Sequence, residues 1–143
     1  MSEEDAAHLR ADLYSTDPAV RQAAVERIVE LYDTQTTRLL TEALLSDTPE
    51  VRDRAITTLA KLIASEDDIL ALGAARPLAE AGALDALATG YAQGATEVRM
   101  SATLLMGACA DPRALSVVEQ ALGDEEVHVR ALAMELVARL RTL

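Results

Sequence analysis

The chain has 143 residues, half of them hydrophobic, a formal net charge of −11 and a single cysteine. That length suits one domain with ample material for a core, and the acidic balance argues against both nucleic acid, whose binders neutralise phosphate with Lys and Arg, and an anionic membrane surface. Four Pro and six Gly are too few for a turn-rich β protein, and with no Phe, no Trp and three Tyr the core has to be aliphatic.

Helical signals follow one another along the chain. Ser2-Glu3-Glu4-Asp5 is a capping-box opening, with acids at the positive end of the helix dipole, and Ala6, Leu9 and Leu13 then recur on one face. Asp17-Pro18 places an oxygen acceptor before a proline at the first helical position, where its missing N–H costs nothing. Val20-Arg21 follows, with Ala24, Ile28 and Leu31 at helical spacing. Thr37, Leu40 and Leu44 mark a third helix. Thr48-Pro49 then repeats the cap signal before Val51-Arg52, Ala55, Leu59 and Leu62. Ser65-Glu66-Asp67-Asp68 starts an additional helix with Ile69, Leu70, Leu72 and Leu78, which Pro77 should end or kink. Leu84, Leu87 and Tyr91 lead to a break at Gly94-Ala95-Thr96, then to Val98-Arg99, Ala102, Met106 and Cys109. Asp111-Pro112 opens Leu115, Val118 and Leu122; Gly123-Asp124 breaks that helix before Val129-Arg130, Ala133, Val137 and Leu140.

The four Val-Arg pairs are separated by 31, 47 and 31 residues, and the same two apolar stripes surround each. Of 28 positions in this template, 27 are apolar. Self-similarity at such a period signals stacked supersecondary units. With only a few residues between the two helices of a unit, each unit has to be an antiparallel hairpin. The units fall at about 3–33, 34–65, 82–110 and 111–143, with an inserted helix at 66–81, all in one domain spanning 1–143.

Val-Arg-x-x-Ala at helical apolar spacing, preceded by Asp and often Pro, resembles HEAT repeats. Residues 111–140 are especially similar to the short prokaryotic HEAT-like type, and Leu78 to Leu87 is similar to the three-helix armadillo variant. The resemblance implies an all-α, right-handed α-solenoid of four antiparallel helix pairs with one extra helix. In HEAT repeats the recurrent Asp and Arg sit at the inter-helix turn and hydrogen-bond along the stack. Carried over, this implies a ladder of Asp17 with Arg21, Asp47 with Arg52, and Asp124 with Arg130; Arg99 belongs to it, but Thr96 and Glu97 stand where its Asp is expected.

Catalytic chemistry finds little footing. Cys109 lies on a core stripe between Ala108 and Ala110, with neither a helix N-terminus nor basic neighbours to make it a nucleophile. His8 and His128 are not spaced as ligands and neither is followed by Glu, unlike the His-Glu pairs of the HEAT-type deoxyhypusine hydroxylases. The basic, aromatic groove of HEAT-like DNA glycosylases is missing, as are phosphate loops, nucleophile elbows and zinc motifs. Asp67-Asp68 and Glu125-Glu126 have the makings of a cation site, but acidic helix starts account for them more cheaply. The expectation is a non-enzyme with no cofactor and no metal.

The third Val-Arg helix stands out. At two, six and nine residues after each Val, roughly opposite the core stripe, the first two units place Gln22, Glu26 and Val29, then Asp53, Thr57 and Ala60. The third places Met100, Leu104 and Gly107, and the fourth Ala131, Glu135 and Ala138. A helix that is apolar all round is either buried or a contact surface, and the inserted helix or central burial would cover this face. The second helices of such stacks commonly line a concave side where partners bind. The functional expectation is a protein-interaction scaffold whose groove, centred on Met100, Leu104 and Gly107 and rimmed by Glu26, Asp53 and Glu135, takes a basic or amphipathic segment of another protein. The short repeats are also similar to those of phycobilin lyases, which gives a chromophore-handling alternative. Leu132, Leu136 and Leu143 offer either an end-to-end homodimer contact or an intramolecular one.

No apolar run approaches the roughly 18 to 20 residues of a membrane span, and Met1 to Asp5 is the opposite of a basic signal-peptide opening. With one cysteine and no internal disulfide, a reducing cytoplasm is the expected location. Lys61 is the only lysine beside twelve arginines. This composition resembles that of salt-adapted, haloarchaeal proteomes, while a GC-rich genome explains the arginine bias equally well.

Overall fold

Proline and glycine set the boundaries much as the chain order suggests. The computed structural model describes residues 3–30, 34–64, 77–109 and 112–142; most of the expected inserted helix, residues 66–76, lies outside them, as do Asp111 and Leu143. Eight α-helices are described: α1 (Glu3–Leu13), α2 (Pro18–Glu30), α3 (Thr34–Leu44), α4 (Pro49–Ile63), α5 (Ala83–Gln93), α6 (Thr96–Cys109), α7 (Leu115–Ala121) and α8 (Val127–Leu140). No strand occurs among the described residues, and no described helix is long and apolar enough to cross a membrane.

Pro18 and Pro49 each occupy the first position of their helix. The Asp17 carboxylate accepts the Ala19 N–H at 2.9 Å, one of the orphan donors of α2. Thr48 is extended before α4 but makes no side-chain cap; Glu50 in the first turn and Lys61 in the last complement the dipole instead. Pro112 differs from expectation, starting a short 3-10 turn, Pro112–Ala114, before α7. Pro77 and Leu78 are helical, and the turn after them leads into α5 through Gly82 at φ 91°, a left-handed conformation that glycine adopts without a Cβ penalty.

Neighbouring helices pack as α1 on α2, α3 on α4, α5 on α6 and α7 on α8. The second members of these pairs also touch in series, α2 to α4, α4 to α6 and α6 to α8, while α1 packs on α3 and α4 on α5. The core runs along this series. Leu40, Leu44, Ile56, Leu59, Leu87, Leu105 and Met106 are fully enclosed, with Val51, Leu62 and Leu136 nearly so. Every template position whose side chain is described is buried or half-buried. Ala24, Ala55, Ala102 and Ala133, four residues after each Val, keep the helices close without an aromatic filler. Two buried hydroxyls, Thr58 and Thr103, are satisfied by donating at 2.7 Å to the carbonyls of Arg54 and Arg99, one turn back.

Candidate functional site

The Val-Arg arginines gather at the turns between paired helices, and of the side-chain pairings the resemblance implies only Arg130 with Asp124 is present, through the main-chain carbonyl. Arg21, buried, donates from Nη1 to the Ser15 carbonyl at 2.7 Å, and Arg130 donates likewise to the Asp124 carbonyl at 2.6 Å. Each guanidinium thus ties down the carbonyl six residues behind it. The Asp17 carboxylate does not meet the Arg21 guanidinium: the two residues are joined only by the Arg21 N–H donating to the Asp17 carbonyl. The carboxylate caps α2, and the guanidinium reaches Glu50 of α4 at 3.5 Å. Asp47 is not joined to Arg52, which folds onto its neighbour Asp53 (Nε to Oδ1 3.1 Å). Two buried guanidinium nitrogens, Arg21 Nε and Arg52 Nη2, donate to no hydrogen-bonding partner, though the latter lies 3.0 Å from the Asp53 carboxylate as an ion pair.

Asp124 is the exception, and the strongest polar site among the described residues. Its carboxylate, nearly buried, accepts from Arg99 Nε at 3.0 Å, from the Tyr91 hydroxyl at 2.8 Å and from the Glu126 N–H at 2.9 Å. Arg99 also donates to the Gly94 carbonyl and the Thr96 hydroxyl. The third unit, which lacks its own Asp, is therefore tied to the fourth through an acid supplied from there, and Thr96 serves as an acceptor. Burial raises the Asp124 carboxyl pKa, but the hydrogen bonds from Glu126, Tyr91 and Arg99 outweigh it, so the group titrates below its ordinary 3.8. At Tyr91, burial first and the adjoining Asp124 carboxylate second push the phenol up to about 12.

Because the folded phenol holds its proton more tightly than the unfolded one, Tyr91 contributes stability that is complete below pH 10 and is lost as pH rises towards 12. Tyr91→Phe is expected to cost about 1 kcal/mol at neutral pH and to flatten the alkaline fall in stability, measured by urea unfolding at a series of pH values. An unchanged alkaline slope would show that Tyr91 is not its source.

The expected groove is only partly present. Met100 and Leu104 are half-buried against the core, and Gly107 is closed off. A Cβ built on Gly107 would lie 2.3 Å from Leu136 Cδ2, so α8 inserts a leucine where an open surface was expected. The same contact corrects Leu136 as an intermolecular residue, since it is 2% exposed and packed inside the chain; Leu132 is half-buried against the core. Glu135 is exposed, Asp53 is held by Arg52, and the Glu26 side chain lies outside the described set.

A second feature, which residue spacing did not reveal, adjoins the open part. A cleft of about 280 Å³ is shared by α2, α4 and α6 and lined by the acids Glu50, Asp53 and Glu97, the arginines Arg21 and Arg54, and Thr57 and Val98. Glu97, Met100 and Leu104 are three and four residues apart and share one face of α6. The cleft therefore continues along α6 as a half-apolar track until Leu136 blocks it at Gly107. Between α1 and α2 lies a separate groove of about 320 Å³, floored by Leu9, Ala23 and Ala24 and edged by Asp5, His8, Asp12 and Arg27. Cys109 is half-buried with its thiol 3.9 Å from the Leu78 carbonyl. No group of three or more His, Cys, Asp or Glu suited to a metal occurs among the described residues.

No family model and no curated protein matches the chain. Among solved structures, the crystal structure of an engineered protein, a Northeast Structural Genomics Consortium target, is similar over 94% of this chain and 78% of its own. Identity is 20% and the TM-score 0.45.

Proposed function

We propose that the chain is a right-handed, HEAT-like α-solenoid of four helical hairpins, working in the cytoplasm as a non-catalytic scaffold that binds another protein. The observation that carries this reading is the carboxylate-edged cleft across α2, α4 and α6, continued by Met100 and Leu104 on the face they share with Glu97. Its chemistry suits a basic, amphipathic segment: arginine or lysine at Glu50 and Glu97, apolar side chains on the track. A net charge of −11 adds long-range attraction for such a partner. The series of contacts from α2 through α8 supports the solenoid, because each pair buries its apolar stripes against the next.

The test is capture of partners from the cells that make the protein, using wild type, the double variant Glu50→Lys/Glu97→Lys and the control Glu119→Lys on α7. Glu50 is 70% exposed but meets Arg21 and the start of α4, so the double variant is compared only after its helicity and melting are shown to match the wild type. A protein retained by wild type and control but weakened about tenfold or more by the double variant supports the cleft. Equal retention by all three rules it out.

A further inference from the structure

The outer face of α8 carries an apolar stripe that nothing among the described residues covers. Val127 is 58% exposed and Met134 66%, and Ala131 and Ala138 join them at spacings of four, three and four residues. The opposite side of the helix holds Val129, Ala133, Leu136 and Leu140 in the core. This stripe lies away from the cleft proposed above and does not depend on it.

The chain itself shows what such a face is for. Nine residues after its Val, α6 has Gly107, into which Leu136 of the next helix in the series inserts. The same position in α8 is Ala138, one methyl larger than the glycine and exposed. The face that α6 gives to α8 is thus the face that α8 offers outward. Residues 127–142 hold Arg130, Arg139 and Arg141 against Glu135, in a chain of net charge −11. Arg130 is tied to the Asp124 carbonyl and Arg141 lies 3.6 Å from Glu119, so Arg139 is the cation of this stretch for which no such contact is described. At the other end of the series, residues 3–30 hold seven carboxylates and three arginines, and the α1/α2 groove, floored by Leu9 and Ala24, has Asp12 on its edge.

From these two surfaces we infer that a second copy of this chain docks head to tail, the stripe of α8 entering the α1/α2 groove of its neighbour. Met134 is the knob, and Arg139 approaches Asp12 on a groove edge that also carries Asp5, His8 and Arg27. The joint is not a replica of the internal one, because the position that Leu136 fills in α8 is Arg27 in α2; the projecting side chain comes from the other partner. Charge selects this arrangement over a two-fold dimer through α8, which would set the basic face against itself. The contact is heterologous, so it extends to longer assemblies unless it closes into a ring. A stripe of four side chains is small beside a standard interface, so association is weak and favoured by low salt.

Sedimentation of the full chain at rising concentration in about 50 mM salt tests this. Wild type is expected to pass beyond twice its 15.3 kDa mass. Met134→Asp and, separately, Asp12→Arg should each remain at the monomer mass with unchanged helicity, Val127→Asp standing in if the first variant misfolds. Mixed together, the Met134→Asp and Asp12→Arg proteins each retain one working face and should stop at a heterodimer. A wild type that stays monomeric overturns the inference. So does an Asp12→Arg variant that associates like wild type, which would mean a two-fold contact through α8, or a mixture that fails to pair.

Discussion

Asp124→Ala is expected to destabilise the chain by about 3 kcal/mol, with a fall in melting temperature on the order of 10 °C. Asp124 is 8% exposed and its carboxylate accepts from Arg99, Tyr91 and Glu126. Its loss takes the buried counter-charge from a guanidinium only 15% exposed, leaving it the Gly94 carbonyl, the Thr96 hydroxyl and the exposed Glu125, and takes the acceptor from a phenol. Removing one partner of a buried charge pair costs far more than the pair's net worth, because the other charge stays desolvated. The effect depends on pH in a set direction. The folded carboxyl titrates below its unfolded value, so its contribution is complete above about pH 4 and disappears as pH falls through the folded value. The gap between wild type and Asp124→Ala, followed by urea unfolding from pH 6 to pH 2, should therefore narrow towards acid. A gap independent of pH would place the loss in packing and not in charge.

The second large effect is at the α6–α8 contact. Leu136→Ala is expected to cost roughly 2–5 kcal/mol, the usual range for emptying an enclosed leucine site. Gly107→Ala should behave oppositely in two backgrounds. In the wild type the new methyl would overlap Leu136, with Cδ2 at 2.3 Å and Cγ at 3.1 Å, so a loss of about 1–2 kcal/mol is expected. Once Leu136 is shortened the overlap is gone, and alanine's helix preference over glycine, up to about 1 kcal/mol, should appear as a gain. Thermal and chemical unfolding of the two singles and the double measure this. Gly107→Ala having the same sign in both backgrounds would mean that the two residues are not in contact.

The helices were legible because their signals are local and redundant. Pro18 and Pro49 fall at first positions, and Leu59, Met106 and Val137, eight residues after Val51, Val98 and Val129, are all buried. The polar turns were less legible because the expected acids stand at unequal distances before their arginines: Asp17 four, Asp47 five and Asp124 six. The constant offset is six, occupied by Ser15, Ser46 and Asp124. There the two serine hydroxyls accept the N–H two residues on at 3.1 Å, as the Asp124 carboxylate does at 2.9 Å. That register could have been read from spacing. The closing of Gly107 could not, since a glycine on an apolar helix face leaves unsaid which distant side chain will fill it, and Leu136 is 29 residues away. The α2–α4–α6 cleft was hidden for the same reason, its acids coming from three helices that meet only on folding.

The Tyr91–Asp124 bond also gives the molecule a built-in optical reporter. Without tryptophan or phenylalanine, near-ultraviolet absorption and emission come from three tyrosines. Of the two that are described, Tyr14 is 44% exposed, whereas Tyr91 donates its proton to a sheltered carboxylate at the joint between α5 and the α7–α8 turn. A hydroxyl so engaged emits differently from one facing water. Tyrosine fluorescence therefore follows that joint while far-ultraviolet dichroism follows the helices, and a lag between the two signals on heating would reveal the last hairpin parting before the remainder melts.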